Sequence, residues 1–165
     1  MAGIKILTKS AAETKKTGER LAREILKSFD YAQDKLKAAT VLSLEGELGA
    51  GKTTFTQGFA KGLGVKENPR SPTFVIMRTY HPLPLLTKEG SRRDGRFSNF
   101  IHIDAYRIVS KDLKSLGWKK LVSNPKNIIL IEWGNRVKNI LPKGSLRVKF
   151  EHGKRPSERF VTINQ

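Results

Sequence analysis

The stretch GELGAGKTT, Gly46 to Thr54, sets three glycines beside a lysine and two threonines. It fits G-x-x-x-x-G-K-[ST], with Gly46, Gly51, Lys52 and Thr53 in the fixed positions and Glu47, Leu48, Gly49 and Ala50 between them. Residues of these types at this spacing bind phosphate. Successive backbone N–H groups form an anion nest, and glycine keeps side chains out of the way of the phosphates. The helix that begins here adds its positive dipole end. The Lys52 ammonium is expected to bridge the outer phosphates, the Thr53 hydroxyl to bind magnesium, and Thr54 to continue the cradle. In the empty loop the Lys52 side chain is expected to be exposed.

Hydrolysis needs carboxylates as well as a cradle. Asp104 ends the apolar run IHID, and Glu132 ends ILIE. Each stands where a strand meets the carboxyl edge of a parallel sheet, the edge at which ligands bind. Asp104 better suits the magnesium carboxylate. Glu132 suits a magnesium-bound water or the orientation of an attacking water. The plainer reading has both acids capping helices or pairing with Arg107 or Arg136. Between loop and acids lies SPTF, with Ser71, Pro72, Thr73 and Phe74. Pro72 stiffens the entry, and the Thr73 hydroxyl could read a terminal phosphate through magnesium, as switch segments do. The plainer reading of SPTF is an ordinary strand start. Trp133 reads as core packing, with stacking near the nucleotide or packing under the loop as the functional alternative. His102 reads as a buried strand residue with its hydrogen bonds met.

These residues must be positioned by a strand–loop–helix unit, and the sequence supplies one. TVLSLEG is a short apolar run ending at Gly46, and TTFTQGFAKGLG places Phe55, Phe59 and Leu63 on one helical face. Upstream, Ser10 to Glu13 reads as a capping box, opening a helix from about 11 to 29. Further strands are expected over Thr73–Tyr80, within Phe100–Ile108, and over Asn127–Glu132, whose unbroken apolar run suits burial on both faces. A short helix is expected over Lys111–Leu116, and late strands over Leu146–Glu151 and Arg159–Ile163. The expected fold is α/β: a single three-layer, P-loop NTPase-like domain over 1–165, with a mainly parallel sheet and additional late strands.

Composition bounds the rest. The chain has no cysteine, which removes disulfides and thiolate metal sites and fits a reducing cytoplasm. The N-terminal stretch turns polar after Leu7, so a secretory signal is not expected, and no apolar run reaches membrane length. Thirty-two Lys and Arg against fifteen Asp and Glu leave +17, spread along the chain without interleaved aromatics. That excess suits a solvated surface or contact with nucleic acid. The segment at about 82–98, rich in Pro, Gly and charge, reads as a basic surface loop: a tolerated insertion, or a finger that touches a partner.

Taken together, GELGAGKTT, SPTF, HIDAYR and IEWGNR, in that order, resemble the TsaE family, and Ser10…Glu13-Thr14 and LKSLGW fit it too. The resemblance covers the chain apart from the loop after Tyr80. It implies a small Mg-dependent P-loop ATPase of bacterial tRNA threonylcarbamoyladenosine modification. Such a protein works with TsaB and TsaD, which modify tRNAs reading ANN codons, and its ATP cycle resets the complex between turnovers. The resemblance makes Lys52, Thr53, Asp104 and Glu132 the phosphate, magnesium and hydrolysis residues. It makes Ser71 to Phe74 a switch-like segment, Trp133 a residue near the nucleotide, and Thr14 a nucleotide-side contact. tRNA is met indirectly, with a weak electrostatic contact left open by the charge. Ala105 stands where the family usually has leucine, and the long loop and the +17 charge are unusual for it. The competing readings are a nucleoside or nucleotide kinase, and a basic tRNA-binding scaffold with an ATP switch.

Overall fold

The computed structural model describes residues 3–31, 37–70, 76–82 and 97–164. The 71–74 segment and most of the 82–98 loop therefore lie outside the described residues. Seven strands, β1 (Ile4–Thr8), β2 (Thr40–Glu45), β3 (Met77–Tyr80), β4 (Asn99–Asp104), β5 (Asn127–Glu132), β6 (Leu146–His152) and β7 (Arg159–Asn164), form one sheet in the order β1-β7-β6-β2-β5-β4-β3. The pairs β2–β5, β4–β5 and β2–β6 are parallel, while β1–β7, β6–β7 and β3–β4 are antiparallel. Only β3 and β7 therefore run against the common direction, and the sheet is mainly parallel at its centre, as expected. The helices are α1 (Ala11–Tyr31), α2 (Lys52–Gly62), α3 (Ser110–Ser115) and α4 (Trp118–Ser123), with a kinked 3-10 segment over Gly134–Ile140.

Side-chain alternation along the strands builds three layers. On one face Phe100, Ile128, Leu130, Val148 and Val161 pack with Phe55 and Phe59 of α2 and Ala22 and Ile25 of α1. On the other, Ile101, Ile103, Ile129 and Ile131 meet Ile108, Leu113, Trp118 and Val137. Every residue of β5 is buried, as its unbroken apolar run predicts. The same parity that turns Phe100, Ile128 and Leu130 toward α2 also turns His102, Asp104 and Glu132 that way. α1 and α2 pack backbone to backbone: a Cβ on Gly58 would lie 1.9 Å from the Lys15 carbonyl. A side chain there would force the helices apart.

The capping box forms in altered register. Ser10 Oγ accepts from the Glu13 N–H at 3.2 Å, but the Glu13 carboxylate takes the N–H of Lys9, at 2.7 Å, rather than that of Ser10. No helix among the described residues is long and apolar enough to cross a membrane.

Candidate functional site

β2 ends at Glu45, and α2 begins at Lys52 directly after Gly51. The intervening loop therefore lies at the carboxyl edge of the sheet. β4 and β5 are in register there, Asp104 opposite Glu132. A cleft of about 340 Å³ opens between them, lined by Leu48, Gly49, Gly51, Lys52, Thr53, Thr54, Asp104, Tyr106, Glu132 and Trp133. The structure thus brings the loop, both acids and the tryptophan together from sequence segments far apart.

Lys52 is not exposed, contrary to expectation: it retains 5% of its accessible surface. Its Nζ donates to the carbonyls of Gly46 at 2.7 Å and Glu47 at 2.8 Å, and lies 3.7 Å from the centre of the Trp133 ring. The loop folds back on its own lysine, and the aromatic face completes the enclosure. Burial pushes the ammonium below the usual lysine range, against the opposing pull of Glu132 and Asp104. Trp133 adopts φ 62°, a left-handed conformation that is costly for a bulky residue. Ile76, with φ 67°, shares that conformation, and its carbonyl accepts the Asp104 N–H at 2.9 Å. Both strained residues therefore adjoin one of the two acids, a placement typical of functional sites.

Glu132 is the hub. Thr53 Oγ1 donates to its Oε2 at 2.9 Å, and His102 Nε2 lies 2.9 Å from its Oε1. Thr56 Oγ1 stands 3.5 Å from Oε1, at the limit of a hydrogen bond, and bonds the Lys52 carbonyl at 3.0 Å. The contact joins the imidazole edge to the carboxylate deep in the sheet. Among the described residues His102 Nδ1 is buried without a hydrogen-bond partner, so the expectation of a fully satisfied histidine is half met. Asp104, 4% exposed, accepts the Tyr106 N–H on Oδ1 at 2.9 Å. Tyr106 in turn packs tilted against Trp133, with ring centres 5.0 Å apart and planes at 48°.

Among the described candidates, Gly46, Glu47, Ala50 and Thr14 do not line the cleft, and of these only Thr14 lies outside the loop. It is 2% exposed, and its hydroxyl is engaged with Thr8 Oγ1 at 2.8 Å and the Ser10 carbonyl at 3.2 Å. It underlies the loop instead: a Cβ on Gly51 would come 3.6 Å from the Thr14 methyl. Sequence reading missed Thr56 and Tyr106. Thr56 stands one helical turn beyond Lys52, and Tyr106 two residues beyond Asp104, so spacing could have found both.

The residues fit a magnesium nucleotide. Thr53, Asp104 and Glu132 line the same cleft as the loop. Among the described residues no group of three or more His, Cys, Asp or Glu converges. Magnesium is held by one or two carboxylates plus phosphate oxygens and water rather than by an all-protein cage, and Asp104 and Glu132 are the two carboxylates in the cleft.

The family model for "Threonylcarbamoyl adenosine biosynthesis protein TsaE" matches residues 8–161. A tRNA threonylcarbamoyladenosine biosynthesis protein TsaE from Bacillus subtilis is 37% identical over 114 residues, 68% of this chain and 61% of that protein, so the match spans less than two thirds of that relative. The protein of the same name from Streptomyces coelicolor is 40% identical over 117 residues, 70% of this chain and 71% of its own. The crystal structure of Bacillus subtilis YdiB superposes with a TM-score of 0.64 at 29% identity, covering 99% of this chain and 86% of that one. By the family-model match over residues 8–161 and these relatives, the chain belongs to the TsaE family of tRNA threonylcarbamoyladenosine biosynthesis.

Proposed function

We propose that this protein binds ATP with magnesium in the cleft below the Gly46–Thr54 loop and hydrolyses it. In this reading it serves the TsaB and TsaD proteins during tRNA threonylcarbamoyladenosine formation. The observation that carries the reading is the convergence of Lys52, Thr53, Asp104 and Glu132 on one cleft at the sheet's carboxyl edge. The loop N–H groups and Lys52 would hold the phosphates. Thr53 and Asp104 would hold magnesium, which when bound neutralises charge developing on the outer phosphates. Glu132, fixed by His102 and Thr53, would orient the attacking water. Trp133 and Tyr106 would wall the cleft, and Ser71 to Phe74, which rejoin the described chain at Ile76 beside Asp104, would act as the switch. The +17 charge supports a weak, salt-sensitive contact with tRNA in addition to docking on protein partners.

The test is phosphate release from ATP by the isolated chain, with and without magnesium, and then with TsaB and TsaD added. Slow magnesium-dependent release that the partners alter is the expected result. No release above background in any combination would defeat the proposal. Release only on addition of a nucleoside or nucleotide acceptor would install the kinase reading instead.

A further inference from the structure

Arg159 opens β7, which is separated from the loop strand β2 by β6. Its side chain nonetheless reaches the phosphate loop: Nη2 donates to the Gly49 carbonyl at 3.0 Å, across 110 positions of sequence. Nη1 donates to the carbonyls of Pro156 at 2.6 Å and Glu158 at 2.7 Å. The backbone of Arg159 is itself mounted on the sheet, in register between Thr8 of β1 and His152 of β6. Thr8 Oγ1 also donates to the Arg159 carbonyl at 3.3 Å.

The Gly49–Ala50 peptide is therefore held at both ends. Arg159 holds its carbonyl, and its N–H donates to the Glu47 carbonyl at 3.2 Å. That same Glu47 carbonyl is one of the two that seat Lys52 Nζ. A continuous chain of hydrogen bonds thus runs from the β7 guanidinium to the loop lysine. Gly49 is where it needs support. It sits at φ 74°, and among the described residues nothing lies within 4 Å of the place a Cβ would occupy. Ala50 anchors the far side of the peptide, buried in the core, while glycine leaves rotation on the near side easy.

We infer that Arg159 is a positioning residue for the phosphate loop, acting through the Gly49–Ala50 peptide and the Glu47 carbonyl on Lys52. The inference rests on the proposed reading of the loop as a nucleotide site. It requires the guanidinium fork, because Nη1 holds the Pro156 and Glu158 carbonyls while Nη2 reaches Gly49, a rigid separation of donors that a single ammonium nitrogen lacks.

The experiment measures two things in Arg159→Gln, Arg159→Lys and Lys52→Ala proteins, each checked for folding. The first is hydrogen exchange at the Ala50 amide with no nucleotide present. The second is affinity for ATP with magnesium. Arg159→Gln is expected to speed Ala50 exchange about tenfold or more, while β2 and β5 amides keep their protection. It is expected to weaken ATP binding roughly tenfold, the scale of a lost charge-assisted hydrogen bond. Arg159→Lys should recover only part of either. The double variant with Lys52→Ala should lose less than the product of the single effects, since both act on one network. Unchanged Ala50 exchange in a folded Arg159→Gln protein overturns the inference, as does full recovery by lysine, which would mean that charge at a distance suffices. Should wild-type protein fail to bind ATP while Ala50 exchange still depends on Arg159, the nucleotide reading falls and the positioning role stands.

Discussion

Thr53 and Glu132, 79 positions apart, share a hydrogen bond of 2.9 Å from Oγ1 to Oε2. The hydroxyl proposed for magnesium is thus spent on the carboxylate proposed for hydrolysis. It joins the first turn of α2 to the end of β5. To use a hydroxyl lone pair on a cation, Thr53 must keep donating to Glu132, an arrangement its single O–H and two lone pairs allow.

Glu132→Gln keeps the Thr53 contact, because the amide oxygen can still accept from that hydroxyl, while the amide nitrogen then faces His102 Nε2 and requires the imidazole to carry its hydrogen on Nδ1. Removing the negative charge removes the group that would orient water. We expect ATP affinity within a few-fold of wild type and a single-turnover rate about 100-fold lower, roughly 2.7 kcal/mol of transition-state stabilisation. Hydrolysis at the wild-type rate would remove Glu132 from the chemistry.

Asp104→Asn tests the other acid. Its Oδ1 accepts the Tyr106 N–H, which an asparagine oxygen can still do, so the loop beyond β4 should hold. The expected loss is in the response to magnesium: ATP affinity should no longer rise when the ion is added. If that response survives and only turnover drops, the roles assigned to the two acids are reversed.

How far the sequence foretold this site depends on the kind of contact. The glycine loop and α2 are adjacent in the chain, so their motif carries the local fold directly. Asp104 and Glu132 could be placed at one sheet edge because each ends an apolar strand. The N-terminal strand β1 escaped notice: Ile4 is 65% exposed at the sheet's edge, and a run of five residues leaves little alternation to read. The short α4 offers too few turns for a helical period. Burial of Lys52 was hidden too, because it depends on Trp133 folding over the ammonium, and local spacing carries no record of that. The Arg159 link is equally long-range.

Buried Lys52 gives a pH test. With its pKa lowered by burial, the unfolded chain binds the proton more tightly than the folded one. Stability therefore rises with pH from the folded pKa up to the unfolded value of about 10.4. Lys52→Met removes the titrating group. In urea melts with chelator present, the variant's stability relative to wild type should be greatest near pH 7 and shrink as pH rises. A difference independent of pH would mean that the lysine carries no net desolvation cost.

The strands that flank the long loop after Tyr80 in sequence bear on the kinase reading. Tyr80 ends β3 opposite Phe100 near the start of β4, and their rings stack with centres 5.7 Å apart. From Phe100, β4 runs four residues further to Asp104, about 13 Å at a strand's rise per residue. Tyr80 and Phe100, which flank the loop in sequence, therefore stand at the end of β3–β4 away from the cleft, whereas Met77, at the other end of β3, pairs with Ile103 beside Asp104. A kinase-type lid would have to close over the cleft. We expect that replacing residues 83–96 with a short Gly-Ser link leaves ATP affinity and the intrinsic hydrolysis rate within about twofold of wild type. The Tyr80–Phe100 pair, buried at the loop's base, should keep the strands joined, which a thermal melt of the variant will check. A folded variant that binds ATP but has lost turnover would place the loop in the active site and restore the lid as a serious reading. Intrinsic hydrolysis that persists while stimulation by TsaB and TsaD disappears would instead assign the loop to partner docking.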